Sequence, residues 1–289
     1  MQWVSIVGCG YTGRRLAERW RESGARVLGF ATRAESLRQV AALGAEAVSL
    51  DLDAAIEPVD LSGHLVYYAV PPAKAAGDAR LRRFLDGLAG VPRRLIYLST
   101  TGVYGDRAGA LIDEDTVPAP TSQRAMRRLA AENLLREWAR VRGASWCILR
   151  IPGIYGPGRL PLDRLRRGEP VIAPGEAGPG NRIHVADLVS TCMAAATAVR
   201  AHRRIYNVTD GSDDSLAGYL QRVARIAQLP PPRLISREEA QRTLPESPWS
   251  ILGESRRVDN RRMLEELGVT LRFGDLDAGI RASLAAYPS

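Results

Sequence analysis

Short apolar runs alternate along this chain with longer segments whose apolar residues recur at helical spacing. The runs fall at residues 3–7, 27–30, 47–50, 65–70, 95–98, 147–150 and 205–208. Strands buried on both faces read as unbroken apolar runs, and helical segments between them supply the crossovers of a parallel sheet. Residues 11–23, 34–43, 78–88 and 122–142 carry the helical period. The pattern predicts an α/β fold with one doubly wound parallel sheet of seven strands.

The texture changes after Arg150. Pro152, Pro157, Pro161, Pro170, Pro174 and Pro179 lie among glycines, a composition that helices do not cross. Beyond them, 181–208 return to the sheet, and 216–227 and 260–267 read as helices separated by LPPPRL. The expected organisation is therefore a larger domain, 1–150 with 181–210, and a smaller carboxy-terminal one, 151–180 with 211–289.

Composition narrows the function classes. At 289 residues the chain can bury a core without staples. Its net charge of +8 would suit an acidic partner. The positive charge is nearly all arginine, Lys74 being the sole lysine, and it is dispersed among acids, so no nucleic-acid partner is expected. Cys9, Cys147 and Cys192 are far apart and odd in number, which argues for buried thiols and against a disulfide framework or a metal site. No apolar stretch approaches the roughly 18 residues of a membrane span. A cytoplasmic location is expected.

The chemistry begins at VSIVGCGYTGRRLAERW, where Gly8, Gly10 and Gly13 follow the first strand and open a helix. Glycines at that spacing permit a tight turn, bring the backbone close to a pyrophosphate and let helix pack on strand. Helix amide groups then face the phosphates. Tyr11 and Thr12 sit in the same turn, and Ala69 and Val70, ending the fourth strand, are placed with it. An acid at the end of the second strand would hold the ribose hydroxyl of NAD. Here that place offers Thr32 and Arg33, which favours NADP(H), with NAD(H) as the second choice. Asp51, after the third strand, is placed to touch the adenine amine.

From IYLSTTGVYGD onward the chain resembles the extended short-chain dehydrogenase/reductase superfamily of nucleotide-sugar epimerases and dehydratases. The likeness continues through LRIPGIYGPGR, NRIHVADLV and RRVDNRRMLEELGV, and so spans nearly the whole length. It implies a Rossmann-type fold with a smaller substrate domain and a homodimer built on paired outer helices. It also implies that Thr100, with Ser99 and Thr101 beside it, holds the substrate oxygen, and that Ile151, Pro152 and Gly153 cup the nicotinamide. The superfamily's Y-x-x-x-K pair falls on Arg124 and Arg128, and no Y-x-x-x-K exists anywhere in this chain. A guanidinium does no acid or base work. The chain is thus similar to atypical members that lack the pair. Arg128 would then hydrogen-bond ribose or phosphate, and Arg124 would hold an anionic substrate group.

Replacement proton donors are few. Tyr104 follows Thr100 on the same loop and is the candidate phenol, with Tyr155 behind it. His184 reads as a structural hydrogen-bonding residue, Asp187 as a helix cap, and His64 and His202 as loop residues. Arg159, Arg164, Arg166, Arg167 and Arg182 lie where a diphosphate-linked substrate would be held. The leading expectation is an oxidoreductase, epimerase or dehydratase on a small, anionic or nucleotide-linked substrate. The alternative is a cofactor-binding sensor without redox turnover.

Overall fold

The computed structural model describes residues 1–73, 78–243 and 254–286. Lys74 lies outside them. The sheet consists of β1 (Trp3–Val7), β2 (Arg26–Ala31), β3 (Glu46–Ser49), β4 (Leu65–Tyr68), β5 (Arg94–Thr100), β6 (Trp146–Ile151) and β7 (Arg204–Asn207). All neighbours pair in parallel, in the order β7-β6-β5-β4-β1-β2-β3. This is the seven-stranded doubly wound arrangement that the apolar runs imply. The chain reverses direction across the sheet between β1 and β4, the switch point where such sheets bind ligands.

Residue alternation divides each strand between two cores. Leu65 and Tyr67 of β4, with Ile96 and Leu98 of β5, face one side, where Leu16 and Trp20 of α1 (Tyr11–Glu22) also lie. Val66, Tyr68, Leu95 and Tyr97 face the other. On that side they meet Leu81 and Phe84 of α3 (Ala79–Asp86) and Ala131 and Leu135 of α4 (Gln123–Arg142). Helix α2 (Ala34–Ala42) closes the first core through Val40. Burying each large side chain contributes about 1.5–3 kcal/mol, so continuous apolar strands are a thermodynamic requirement of a sheet covered twice.

Helix α4 sets the geometry of the site. Ser122 caps it by accepting from the Ala125 amide, and Gly143 ends it in the left-handed conformation. Its buried positions include Ala125, Glu132, Leu135 and Ala139. Arg124, Arg128 and Glu132 are spaced by four and share one row, exposed at the amino end, half-buried in the middle and buried at the third position.

After β6 the chain leaves the sheet through α5 (Leu162–Arg166), then returns with α6 (Val185–Thr197). A third apolar cluster gathers Tyr155, Leu162, Leu165 and Val171 with Tyr219, Leu220 and Val223 of α7 (Leu216–Ile226). Short strand pairs, Arg182–His184 on Gly153–Tyr155 and Leu234–Ile235 on Val171–Ile172, tie this part together. After α8 (Arg237–Thr243), helix α9 (Arg261–Leu267) departs from the expected division. Its Met263 and Leu267 join the core around β1 and α6 instead of the third cluster. Helix α10 (Leu276–Ala285) returns to the third cluster through Leu276 and Ile280.

Among the described residues no helix is long and apolar enough to cross a membrane. They also contain no cluster of His, Cys, Asp and Glu able to hold a metal ion.

Candidate functional site

A cleft of about 950 Å³ opens at the switch point, over the carboxyl ends of β1, β2, β4, β5 and β6. Gly8 forms its floor with φ at +99°, and a Cβ there would lie 3.1 Å from the Ala69 carbonyl carbon and the Val70 nitrogen. At Gly13 an added Cβ would stand 2.6 Å from the Gly8 carbonyl oxygen, so only glycine lets α1 close on the turn. Gly10 is different. A Cβ there would meet nothing within 4 Å, because the position faces the open cleft. Two crowded glycines and one that faces empty space, at the amino end of α1, make a fitting cradle for a dinucleotide pyrophosphate.

The candidate residues named from the sequence distribute as follows. Gly8, Gly10, Tyr11, Thr12, Gly13, Thr32, Arg33, Asp51, Ala69, Val70, Ser99, Thr100, Arg128, Ile151 and Pro152 all line the cleft. Gly153 does not; it lines a neighbouring cavity, with its amide directed to the Asn181 carbonyl at 3.4 Å. Arg124 lines the cleft beside Arg128, so the two positions of the missing pair are where the alignment puts them. Thr100 and Ile151 are register partners on β5 and β6. The Thr100 hydroxyl accepts from the Gly102 amide.

Tyr104 is not brought to the cleft. Residues Thr101–Tyr104 form a 3₁₀ turn that reverses the chain and drives the ring inward. There it is fully buried, donates to Asn207 Oδ1 at 2.8 Å and lies under the Arg150 guanidinium at 4.7 Å. Burial pushes its phenol up to about 12, against the opposing charge of Arg150. Tyr155 is buried as well and lines the neighbouring cavity. Neither phenol lines the cleft.

His184 has the structural role expected of it. Its Nδ1 accepts from the Ala186 amide and caps α6, and its Nε2 lies 3.3 Å from the Ser283 hydroxyl. Asp187 is not the cap. Its carboxylate accepts from the Arg272 and Phe273 amides at 2.8 and 3.0 Å, tying α6 to the segment before α10. His64 stacks on Trp3, with its Nδ1 2.9 Å from the Ser5 hydroxyl. The His202 Nδ1 lies 2.9 Å from Ser145 Oγ.

Sequence reasoning missed the buried wall behind the cleft. Ser99 donates to Glu132 Oε1 at 2.5 Å, and Arg150 pairs with the same carboxylate at 2.7 Å. Burial works against the Arg150 charge, yet the Glu132 bond and charge hold its guanidinium above the usual range. A lone arginine inside the apolar run of β6 was the available signal. Arg80, bound to Asp53 at the cleft edge, was also missed.

A second cavity of about 310 Å³ adjoins the cleft, and Ile154 and Arg159 line both. Arg164, Arg182 and Tyr219 line it. Among the described residues the buried Arg164 Nε, Arg182 Nη1 and Tyr219 hydroxyl have no hydrogen-bond partner. Burial lowers the proton affinity of both guanidinium groups. Arg166 and Arg167 instead pair on the surface with Asp163 and Glu169.

A glycine cradle at the switch point of a parallel sheet defines a dinucleotide-binding protein of the Rossmann class. A model described as the NAD dependent epimerase/dehydratase family matches residues 4–209, and the chain belongs to that family. It is 27% identical over 295 residues to Protein YeeZ of Escherichia coli strain K12, spanning 95% of this chain and 97% of that one. The solved structure of a functionally unknown conserved protein from Silicibacter pomeroyi DSS superposes over 100% of both chains at 30% identity, with a TM-score of 0.86. UDP-glucuronic acid 4-epimerase from Bacillus cereus, solved with UDP-glucuronic acid and NAD, shares the fold at a TM-score of 0.75. That likeness covers 99% of this chain and 98% of that one at 17% identity.

Proposed function

We propose that this family member is an enzyme that binds NADP(H) in preference to NAD(H) and acts on a small nucleotide-linked substrate in the cytoplasm. The observation that carries the reading is the pairing of two cavities through Arg159: a glycine-cradled cleft beside a pocket lined by Arg182 and Tyr219, whose buried Nη1 and hydroxyl have no hydrogen-bond partner among the described residues. These two unsatisfied buried donors call for a ligand with acceptor oxygens, and a diphosphate supplies them. A protein of the same fold holds UDP-glucuronic acid and NAD, which agrees with this reading. We also propose that 151–180 and 211–289, apart from α9, form the substrate side.

Arg33 supports the cofactor preference. It lines the cleft just after β2, and among the described residues its side chain has no hydrogen bond or ion pair. When bound, the nicotinamide ring supplies hydride transfer. Gly8, Gly10 and Gly13 hold the pyrophosphate, Thr32 and Arg33 the 2′-phosphate, and Asp51 the adenine edge. Ile151 and Pro152 shape the nicotinamide end, and Thr100 orients the reacting oxygen with its hydroxyl proton. Among the described residues lining this end none carries a carboxylate or imidazole to take up a proton, so water or the substrate itself carries it.

Calorimetry with NADPH and NADH tests the first part. NADPH is expected to bind more tightly, and Arg33→Ala to abolish the difference; no heat from either dinucleotide overturns the reading. Turnover is followed by nicotinamide absorbance with UDP- and GDP-linked sugars, where Thr100→Ala should lower the rate on the order of 100-fold. One observation favours a second reading, a dinucleotide sensor without turnover: the withdrawal of Tyr104 into the core. Micromolar binding with no consumption across the panel would select it.

A further inference from the structure

We propose that the substrate-side end of the cleft is a receptor for a small oxyanion, a carboxylate or phosphate group of the substrate, gripped by Arg124 with Thr100 and Arg159 around it. The proposal rests on the reading of this end as the nicotinamide side and adds the chemistry of what lies there.

Charge is distributed unevenly along the cleft. Its acids, Asp51 and Asp53, lie where β3 ends, and Asp53 is bound to Arg80. The opposite end carries Arg124, Arg128 and Arg159 and, among the described lining residues, no carboxylate. Elsewhere arginines are commonly neutralised, as Arg150 is by Glu132, Arg204 by Glu266 and Arg222 by Asp214 and Asp277. Among the described residues the Arg124 side chain has no hydrogen bond or ion pair, and the Arg159 side chain has only the Tyr11 ring, 4.1 Å from its guanidinium carbon.

The three cations have different freedom. Arg128 is fixed, its Nη1 donating to the Tyr97 hydroxyl at 3.0 Å and the Leu98 carbonyl at 3.2 Å. It contributes field and cannot move. Arg124 is exposed and unattached, so its fork can turn toward an incoming anion. The Thr100 hydroxyl, already accepting from the Gly102 amide, has its proton left to donate.

A solvated surface arginine is a poor account of Arg124. It stands in the first turn of a 20-residue helix, where the helix dipole already presents positive charge. That turn contains no acid. A cation there is unfavourable for the helix, and local conflicts of this kind concentrate at functional sites. A bound oxyanion would relieve both the guanidinium and the helix end.

The test uses the full chain with bound NADPH, whose fluorescence reports both its own binding and events beside the nicotinamide. Oxalate and inorganic phosphate are titrated in separate arms, against chloride at matched ionic strength. A saturable change with either probe is expected, weakened at least about tenfold by Arg124→Gln, partly restored in Arg124→Lys and unchanged in Arg140→Gln, an exposed arginine paired with Glu137. Response to oxalate alone assigns a carboxylate, and to phosphate alone a phosphate ester. No saturable response, an equal response to chloride, or one unaltered in Arg124→Gln overturns the proposal. UDP binding that is lost in Arg182→Gln is a separate measurement of the nucleotide-linked reading. If UDP fails to bind while oxalate or phosphate still responds, that reading falls and the receptor stands. If neither NADPH nor NADH binds, both fall.

Discussion

Glu132 and Arg150 meet 2.7 Å apart between α4 and β6, with 2% and 3% of their side chains exposed. The same carboxylate accepts from Ser99, whose backbone forms the cleft wall. One buried acid therefore fixes a helix, a strand and the site between them.

Glu132→Gln removes the charge that Arg150 needs and leaves a buried guanidinium uncompensated. Breaking a buried pair from one side costs about 3–5 kcal/mol. Urea unfolding should show a midpoint shift of that size with little change in slope.

Gly10→Ala and Gly13→Ala should separate folding from binding. The Gly13 Cβ has to displace backbone, a cost of about 1–3 kcal/mol, so that variant melts lower and binds dinucleotide poorly. The Gly10 Cβ meets nothing within the protein and would occupy ligand space. Its melting temperature should match the parent chain while dinucleotide affinity drops; unchanged affinity would contradict the cradle.

Asp187→Ala leaves the Arg272 and Phe273 amides without their acceptor. Bonds to charged groups contribute about 1.5–3 kcal/mol each. Hydrogen exchange should rise in 270–286 before it rises in the sheet.

His184 gives a signed pH dependence. Burial, aided by the charges of Arg15 and Arg272, holds its imidazole down to about 4. The unfolded chain takes that proton at about 6.5. Its contribution to stability is whole above that value and is lost as pH falls toward 4. Asp210, raised to about 6 by burial, acts oppositely, holding a proton in the folded state that the unfolded chain releases. His184→Asn keeps an acceptor for the Ala186 amide and removes the titration. The stability of the parent relative to this variant should fall by roughly 2 kcal/mol between pH 7 and 4.5.

The sheet was legible because strands covered on both faces must be apolar throughout, as Val66–Tyr68 of β4 and Leu95–Leu98 of β5 are. The glycine cradle was legible for a partly local reason, since Gly13 is required by Gly8 and Ile6 shortly before it, whereas Gly8 itself is crowded by the distant Ala69 and Val70. Contacts between distant residues were not. Glu132 reaches Ser99 across 33 positions and Arg150 across 18, and nothing in a helical period reports a partner. Tyr104 was misplaced because proximity to Thr100 in sequence says nothing about the 3₁₀ turn between them. Asp187 looked like a cap by residue type, whereas the helix begins two residues earlier, at Val185, and His184 fills that place. Strand pairs as short as Leu111–Ile112 with Arg257–Val258 carry no period to read.

Tyr11 of the glycine turn is covered by Arg15 on one contact and Arg159 on another, at 3.9 and 4.1 Å, and donates to the Pro157 carbonyl. Arg159, packed on that ring, lines both the cleft and the chamber beyond it, so the glycine turn touches the wall that the two share. Whatever free energy an occupant of the first passes to the second must come back by the same factor, because linkage between two sites is reciprocal. Affinities measured for one chamber alone describe only half of such a pair.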